Sequence, residues 1–394
     1  MAVYLDNNAT TALDERVLEA MLPYMGQVTG NPASVHRFGR LQKDAIEQAR
    51  ESVASLVGGR AEQVVFTSGG TESNNLLLQG FASKITKVQS GCRIAVSASE
   101  HMSLIEPAEH LPSAVSLEWL AVDRNGHIAP SAITSMMADA AEEDTTLISV
   151  MSANNETGVI QNLSPLVEAV SKNIEDGRCF FHTDASQAAG KIDVDFIGSG
   201  VHAMTLSAHK LYGPVGVGAL LIDKRLPICK RQFGGSQEKN LRAGTENVPA
   251  IVGFGRAAEL AKAELQERSR QQRILRDALE AGLKTIGAVD IFAEKVDRLP
   301  NTVQFGVKGF DGETLLMQLD RKAIAVSSGS ACTSGKTEPS HVLKAMNVAD
   351  ELAHSAIRVS FGKSNTMSDV DVLLTALQDI IEINQHSPVM AANV

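Results

Sequence analysis

Cys179-Phe180-Phe181-His182-Thr183-Asp184-Ala185-Ser186-Gln187 begins as an apolar β-type run and ends in a polar turn that carries an aspartate. Downstream, Ala203-Met204-Thr205-Leu206 runs the same way into Ser207-Ala208-His209-Lys210. Each reads as a short buried strand that delivers a reactive side chain at its end. Working outward, Val64-Val65-Phe66-Thr67, Arg93-Ile94-Ala95-Val96-Ser97, Thr146-Leu147-Ile148-Ser149-Val150 and Ala219-Leu220-Leu221-Ile222 are runs of the same kind. Helix-length segments, such as Leu41 to Val57 and Ser164 to Glu175, lie between several of them. Apolar runs alternating with helical segments predict an α/β fold: a mostly parallel sheet with helices on both faces. In such sheets ligands bind beyond the strands' carboxyl ends.

Beyond this region, Ile251 to Ile286 reads as one long helix bridging two domains, rich in Ala, Glu, Leu and Arg. From Leu299 onward, short strands at Thr302 to Val307 and Ile357 to Ser360 and two helical stretches predict a smaller α+β domain. The last residues, Gln385 to Val394, are expected to fray. The 394 residues suffice for two domains and a large core. A formal charge of −10 argues against a broad nucleic-acid footprint. No apolar run is long enough to span a membrane, and the start, Met1-Ala2-Val3-Tyr4-Leu5-Asp6-Asn7-Asn8, does not read as a signal peptide. A cytoplasmic location is expected. The four cysteines, Cys92, Cys179, Cys229 and Cys332, form no CxxC pair, so neither a zinc site nor a disulfide framework is expected.

Several turns after strands carry chemistry. A lysine such as Lys210 can form a Schiff base with an aldehyde cofactor, and an aspartate such as Asp184 can keep a pyridine nitrogen protonated. Together they are the electronic handles of pyridoxal 5'-phosphate (PLP) chemistry. Thr67-Ser68-Gly69-Gly70-Thr71-Glu72-Ser73-Asn74-Asn75 follows a strand and opens a helix, the setting of a phosphate site; a plain helix cap would look similar. His101 follows another strand end and could stack on a planar cofactor, although a lone histidine there is more often a cap. Asn155, in Asn154-Asn155-Glu156-Thr157-Gly158, could donate to a phenolic oxygen. Arg358, in Ile357-Arg358-Val359-Ser360, could clamp a substrate carboxylate or sit at an exposed edge. Ser327-Ser328-Gly329-Ser330-Ala331-Cys332-Thr333-Ser334-Gly335 places one cysteine on a polar loop, where its thiolate would be accessible as a nucleophile.

These stretches form a recognisable set. Together with Tyr4-Leu5-Asp6-Asn7-Asn8-Ala9-Thr10-Thr11, Gly30-Asn31-Pro32-Ala33-Ser34-Val35-His36 and Arg242-Ala243-Gly244-Thr245-Glu246-Asn247, they run in order along nearly the whole chain. The sequence resembles the cysteine desulfurases of the NifS/IscS type. The resemblance implies the fold type I architecture of PLP-dependent transferases. A large domain, residues 15–258, would hold a mostly parallel seven-stranded sheet. A smaller α+β domain, residues 1–14 and 259–394, would carry the catalytic cysteine loop. It further implies a homodimer with its site at the subunit interface.

Carried over position by position, the resemblance implies these roles. Lys210 binds PLP and moves protons, Asp184 pairs the pyridine nitrogen, and His101 stacks on the ring. Asn155 and Gln187 contact the phenolic oxygen. Gly70, Thr71, Ser207 and His209 take the phosphate, with Thr245 reaching in from the partner subunit. Asn31 and Arg358 hold the carboxylate of L-cysteine. Cys332 takes the sulfur as a persulfide and passes it to an acceptor protein in iron–sulfur cluster assembly, tRNA thiolation or DNA phosphorothioation. No metal is implied, nor direct contact with nucleic acid. The run from Cys332 to Ser340 is similar to the long-loop subgroup. One departure, Met102-Ser103 where the family more often has Pro or Lys and then Ala, is expected to affect the loop and not His101. A selenocysteine lyase and a PLP aminotransferase remain as alternatives.

Overall fold

The computed structural model describes residues 2–88, 91–328 and 339–386. Cys332 and the last eight residues therefore lie outside the described residues. The strands are β1 (Val3–Tyr4), β2 (Val64–Thr67), β3 (Cys92–Ser97), β4 (Val115–Leu120), β5 (Thr145–Ser149), β6 (Cys179–Asp184), β7 (Ala203–Ser207), β8 (Gly218–Ile222), β9 (Val289–Ile291), β10 (Thr302–Val307), β11 (Ile324–Ala325) and β12 (Ala356–Ser360). A seven-stranded sheet has the order β2-β8-β7-β6-β5-β3-β4, and only β8 runs antiparallel to its neighbours.

The inner strands are buried on both faces, which is why they read as continuous apolar runs. Side chains alternate across the sheet, so Phe181 joins one core with Phe66, Ile148 and Phe254, while Phe180 joins another with Leu77, Phe81 and Leu147. The edge strand β4 escapes a reading based on apolar runs. Its Ser116 and Glu118 face outward, and Glu118 pairs with Arg93 of β3.

A smaller domain holds the antiparallel sheet β12-β10-β9 and its own core, in which Leu279, Phe305, Leu315, Ile357 and Leu373 are fully buried. The chain start belongs to that core through Val3 and Leu5. It then runs beside β12 through an Asp6–Ser360 bridge, and this brings Asn7 and Asn8 toward the large sheet.

Two helix expectations need correction. Ile251 to Ile286 is two helices, Val248–Ala263 and Leu265–Leu283, broken at Glu264. Glu264 leaves helical geometry (φ −104°, ψ 6°), and its carboxylate ties Arg16 and Arg268 across the break. Ser164 to Glu175 likewise splits into Leu163–Glu168 and Ser171–Glu175.

Candidate active site

The large sheet collects its polar ends at one place. Asp184 closes β6, Ser207 closes the neighbouring β7, and Lys210 ends the single turn Ala208–Lys210 that follows. Period two puts Phe180, His182 and Asp184 on one face of β6, the face covered by helix Gly70–Ile85. Asn74 of that helix donates to Asp184 Oδ2 at 2.9 Å, and the Ser186 amide donates to Oδ1 at 2.9 Å. Lys210 Nζ donates to the carbonyls of Asn8 (2.6 Å) and Ala9 (2.7 Å). The N-terminal segment thus touches the lysine directly.

At the amino end of the same helix, the Gly70 amide donates to Ser207 Oγ at 3.0 Å, and Ser186 Oγ lies 3.3 Å from it. A Cβ on Gly70 would sit 2.7 Å from Ser207 Oγ, so only glycine permits this approach. Thr71, at the next position, is exposed. His209 Nδ1 lies 3.2 Å from Thr10 Oγ1, and burial, followed by the charges of Lys210 and Lys191, pushes the ring down to about 4. A neutral His209 is a hydrogen-bonding partner and not a fixed cation.

These groups suit PLP. Hydroxyls, a glycine cradle and a helix amino end are groups that a phosphate could use, and a buried carboxylate and a lysine lie at or just beyond adjacent strand ends. Bound there, PLP would rest its phosphate on Gly70, Thr71 and Ser207 and its ring nitrogen on Asp184, and would act as an electron sink for a substrate carbanion.

Other expected residues fall differently. Gln187 is buried, donates to the Asn8 carbonyl at 2.9 Å and accepts from Lys191 Nζ at 2.5 Å. Asn155 is half-buried; its carbonyl accepts from Asn8 Nδ2 and from Arg358 Nη1, each at 3.1 Å. Arg358 is buried and also reaches Asp6 Oδ1 at 2.7 Å, while its Nε has no hydrogen-bond partner among the described residues. Asn31 is exposed, and its side-chain oxygen caps its own turn at Ala33 (2.9 Å). Thr245 is exposed, three residues beyond Arg242, which pairs with Glu72 of the same chain at 3.0 Å. That tie places the start of the Arg242 to Asn247 loop beside Glu72, the residue after Thr71. Cys92 and Cys179 are buried, and burial pushes both thiols up to about 12.

His101 is the cap of helix Met102–Glu109. Its Nδ1 accepts from the Ser103 amide at 3.1 Å and lies 2.9 Å from Ser103 Oγ. The departure at Ser103 therefore touches the histidine itself, contrary to the expectation from sequence. His101 keeps an exposed surface, but desolvation on its inner side lowers its pKa; Asp184 opposes this, and Lys210 adds to it.

Sequence reading assigned no role to Asn8, Lys191, Glu100 or Glu156. Asn8 links Lys210, Gln187, Lys191, Asn155 and Thr302. Lys191 is fully enclosed, and burial lowers its pKa well below the lysine range. Its signal was a lysine inside the small-residue turn Ala188-Ala189-Gly190-Lys191. Glu100 is fully buried; burial and then Asp184 raise its pKa well above the carboxylate range.

The aminotransferase class-V family model matches residues 3–373. A cysteine desulfurase IscS of Dictyoglomus turgidum is 43% identical over 382 residues, covering 96% of this chain and 94% of its own. A cysteine desulfurase IscS of Methanosarcina thermophila is 41% identical, covering 97% and 92%. The crystal structure of a NifS-like protein of Rickettsia africae superposes with a TM-score of 0.87 at 32% identity, covering 97% of this chain and 100% of that one. With the family match running along almost the whole chain and full-length relatives at about 40% identity, the chain belongs to the class-V aminotransferases, as a PLP-dependent cysteine desulfurase.

Proposed function

We propose that this chain removes sulfur from L-cysteine onto Cys332 and hands it to an acceptor protein, with Lys210 as the proton-moving base. One observation carries the assignment of Cys332. Both described flanks of its segment are fastened to the site. Ser327 pairs with Arg358, donating at 3.1 Å and accepting at 2.6 Å. Beyond the segment, Ser340 donates to Glu156 Oε2 at 2.5 Å, and His341 Nε2 lies 2.8 Å from the Glu100 carbonyl. The described ends of that segment thus lie beside Arg358 and beside Glu100, the residue before His101.

Arg358 would bind the substrate carboxylate through the fork that now holds Asp6, assisted by Asn31. Lys210 would take the proton from the substrate's α-carbon, with its amine aimed by the Asn8 and Ala9 carbonyls. Asn155, Gln187, His209 and Thr245 would complete the cofactor's contacts. The Cys332 thiolate would then attack the substrate sulfur. An S–S bond forms as the substrate's C–S bond breaks, the electron pair passes to the departing three-carbon fragment, and that fragment takes a proton and leaves as alanine.

We further propose the division into residues 15–258 and residues 1–14 with 259–394, a cytoplasmic location and a homodimer. Leu18, Leu22, Met25 and Phe38 are exposed on neighbouring helical segments and support a subunit contact. Among the described residues no helix is long and apolar enough to cross a membrane.

Lys210→Ala tests the assignment. Purified wild-type protein should be yellow and release alanine from L-cysteine. The variant should lose its colour on dialysis and form no alanine. A variant that still turns over removes Lys210 from the mechanism.

A further inference from the structure

A buried file of side chains runs from the middle of the large sheet to His101, and its donor directions can be assigned one after another. Asn74 donates from its amide nitrogen to Asp184 Oδ2 at 2.9 Å, and the other hydrogen of that nitrogen goes to Ser103 Oγ at 2.9 Å. Asn74 Oδ1 then accepts from Thr205 Oγ1 at 2.7 Å. The Thr205 proton is used there, so the contact at 3.1 Å between His182 Nε2 and Thr205 Oγ1 is donated by the ring. His182 Nδ1 is left to accept from Ser149 Oγ at 2.8 Å. At the other end, Ser103 Oγ accepts from Asn74, so its own proton is directed to His101 Nδ1, which also receives the Ser103 amide. Asn74, Ser149, His182 and Thr205 are all fully enclosed, and Ser103 is buried.

We propose that Ser103 is a positioning residue that fixes His101 as the Nε2–H tautomer, and that Asn74 couples this choice to Asp184 by donating to both. Two donors converge on Nδ1, so a proton there would meet N–H and O–H groups head-on. His101 then presents an N–H at Nε2, a donor and not a base, to a cofactor ring lying against it. That last clause rests on the proposed contact between His101 and PLP. The charged and titratable groups facing His101 are Asp184, Lys210, His341 and Arg358, with Glu100 preceding it in the chain. Ser103→Ala changes none of them.

The test is nitrogen-15 NMR of the full chain labelled at histidine and stripped of PLP, with His101 assigned by the signal lost in His101→Gln. The expected result is an Nε2–H tautomer for His101. In Ser103→Ala the hydrogen bond that favours the neutral ring is gone, so the His101 pKa should rise by about half to one pH unit, the equivalent of one net hydrogen bond. Ser103→Thr keeps the hydroxyl and should restore the wild-type pKa. An Nδ1–H tautomer in the wild type, or a pKa unmoved in Ser103→Ala, overturns the role of Ser103. Adding PLP to the wild type should shift the His101 signals. If they stay in place while the tautomer is as expected, the contact between His101 and the cofactor fails, and with it the use assigned to the fixed tautomer.

Discussion

Arg358 shows what a single residue's surroundings add to its identity. In the sequence it is one cation in an apolar strand. In the structure it is enclosed, forked between Asp6 and the Asn155 carbonyl, and paired through its backbone with Ser327 at the root of the Cys332 segment. Arg358→Ala is expected to raise KM for L-cysteine roughly tenfold to a hundredfold, the loss of a charge-assisted contact worth about 1.5–3 kcal/mol. Steady-state kinetics check this, and an unchanged KM would reduce Arg358 to a tie between Asp6 and the loop. The placement of Lys210, Asp184 and Ser207 together was legible because each ends or closely follows an apolar run, where the sheet rule places ligands. Asn8 and Lys191 were not. Their importance comes from contacts between segments far apart in sequence, Asn8 with Gln187 and Lys210 and Lys191 with Asn8, and no local pattern encodes those.

Elements were read well where burial is two-sided and poorly where it is not. The inner strands announced themselves, while β4 mixes polar and apolar residues and so is missed by a search for continuous apolar runs. The break at Glu264 was hidden because Glu is a good helix former, and the long-range ion pair it makes there, to Arg16, has no local signature. Similar ties yield two stability predictions. Arg50 of helix Arg37–Leu56 holds Glu238 through two contacts of 2.8 Å, and Glu238 accepts the Phe66 amide of β2 at 2.7 Å. This pair is buried, so Arg50→Leu leaves an uncompensated carboxylate and should cost about 3–5 kcal/mol in urea unfolding; a change within about 0.5 kcal/mol would show that the pair is solvated. His202, just before β7, accepts the Phe181 amide at 3.1 Å, and burial pushes its pKa down to about 4. The native ring stays neutral while the unfolded one protonates below about 6.5. Between these values the unfolded state binds the extra proton, so wild-type stability should fall relative to His202→Gln as pH drops from 6.5 toward 4. Parallel pH dependence of the two proteins would contradict this.

At the scale of the whole molecule, the large sheet supplies the proposed cofactor site, while the smaller domain supplies Arg358 and the root of the cysteine segment. The chain start stitches the two together through Asp6 and Asn8. The proposed dimer adds Thr245. Combining Lys210→Ala subunits with Thr245→Ala subunits should yield one site with both lesions and one intact site, so activity should recover above either parent. No recovery, with subunit exchange demonstrated, would mean that each site is self-contained. The central claim, that the sulfur of L-cysteine lands on Cys332, is tested most directly by mass spectrometry after a single turnover, with thiols alkylated before digestion. The peptide containing Cys332 should gain the mass of one sulfur atom, and peptides containing Cys92, Cys179 and Cys229 should not. Sulfur on another cysteine, or full desulfuration by Cys332→Ser with no persulfide formed, would contradict the account.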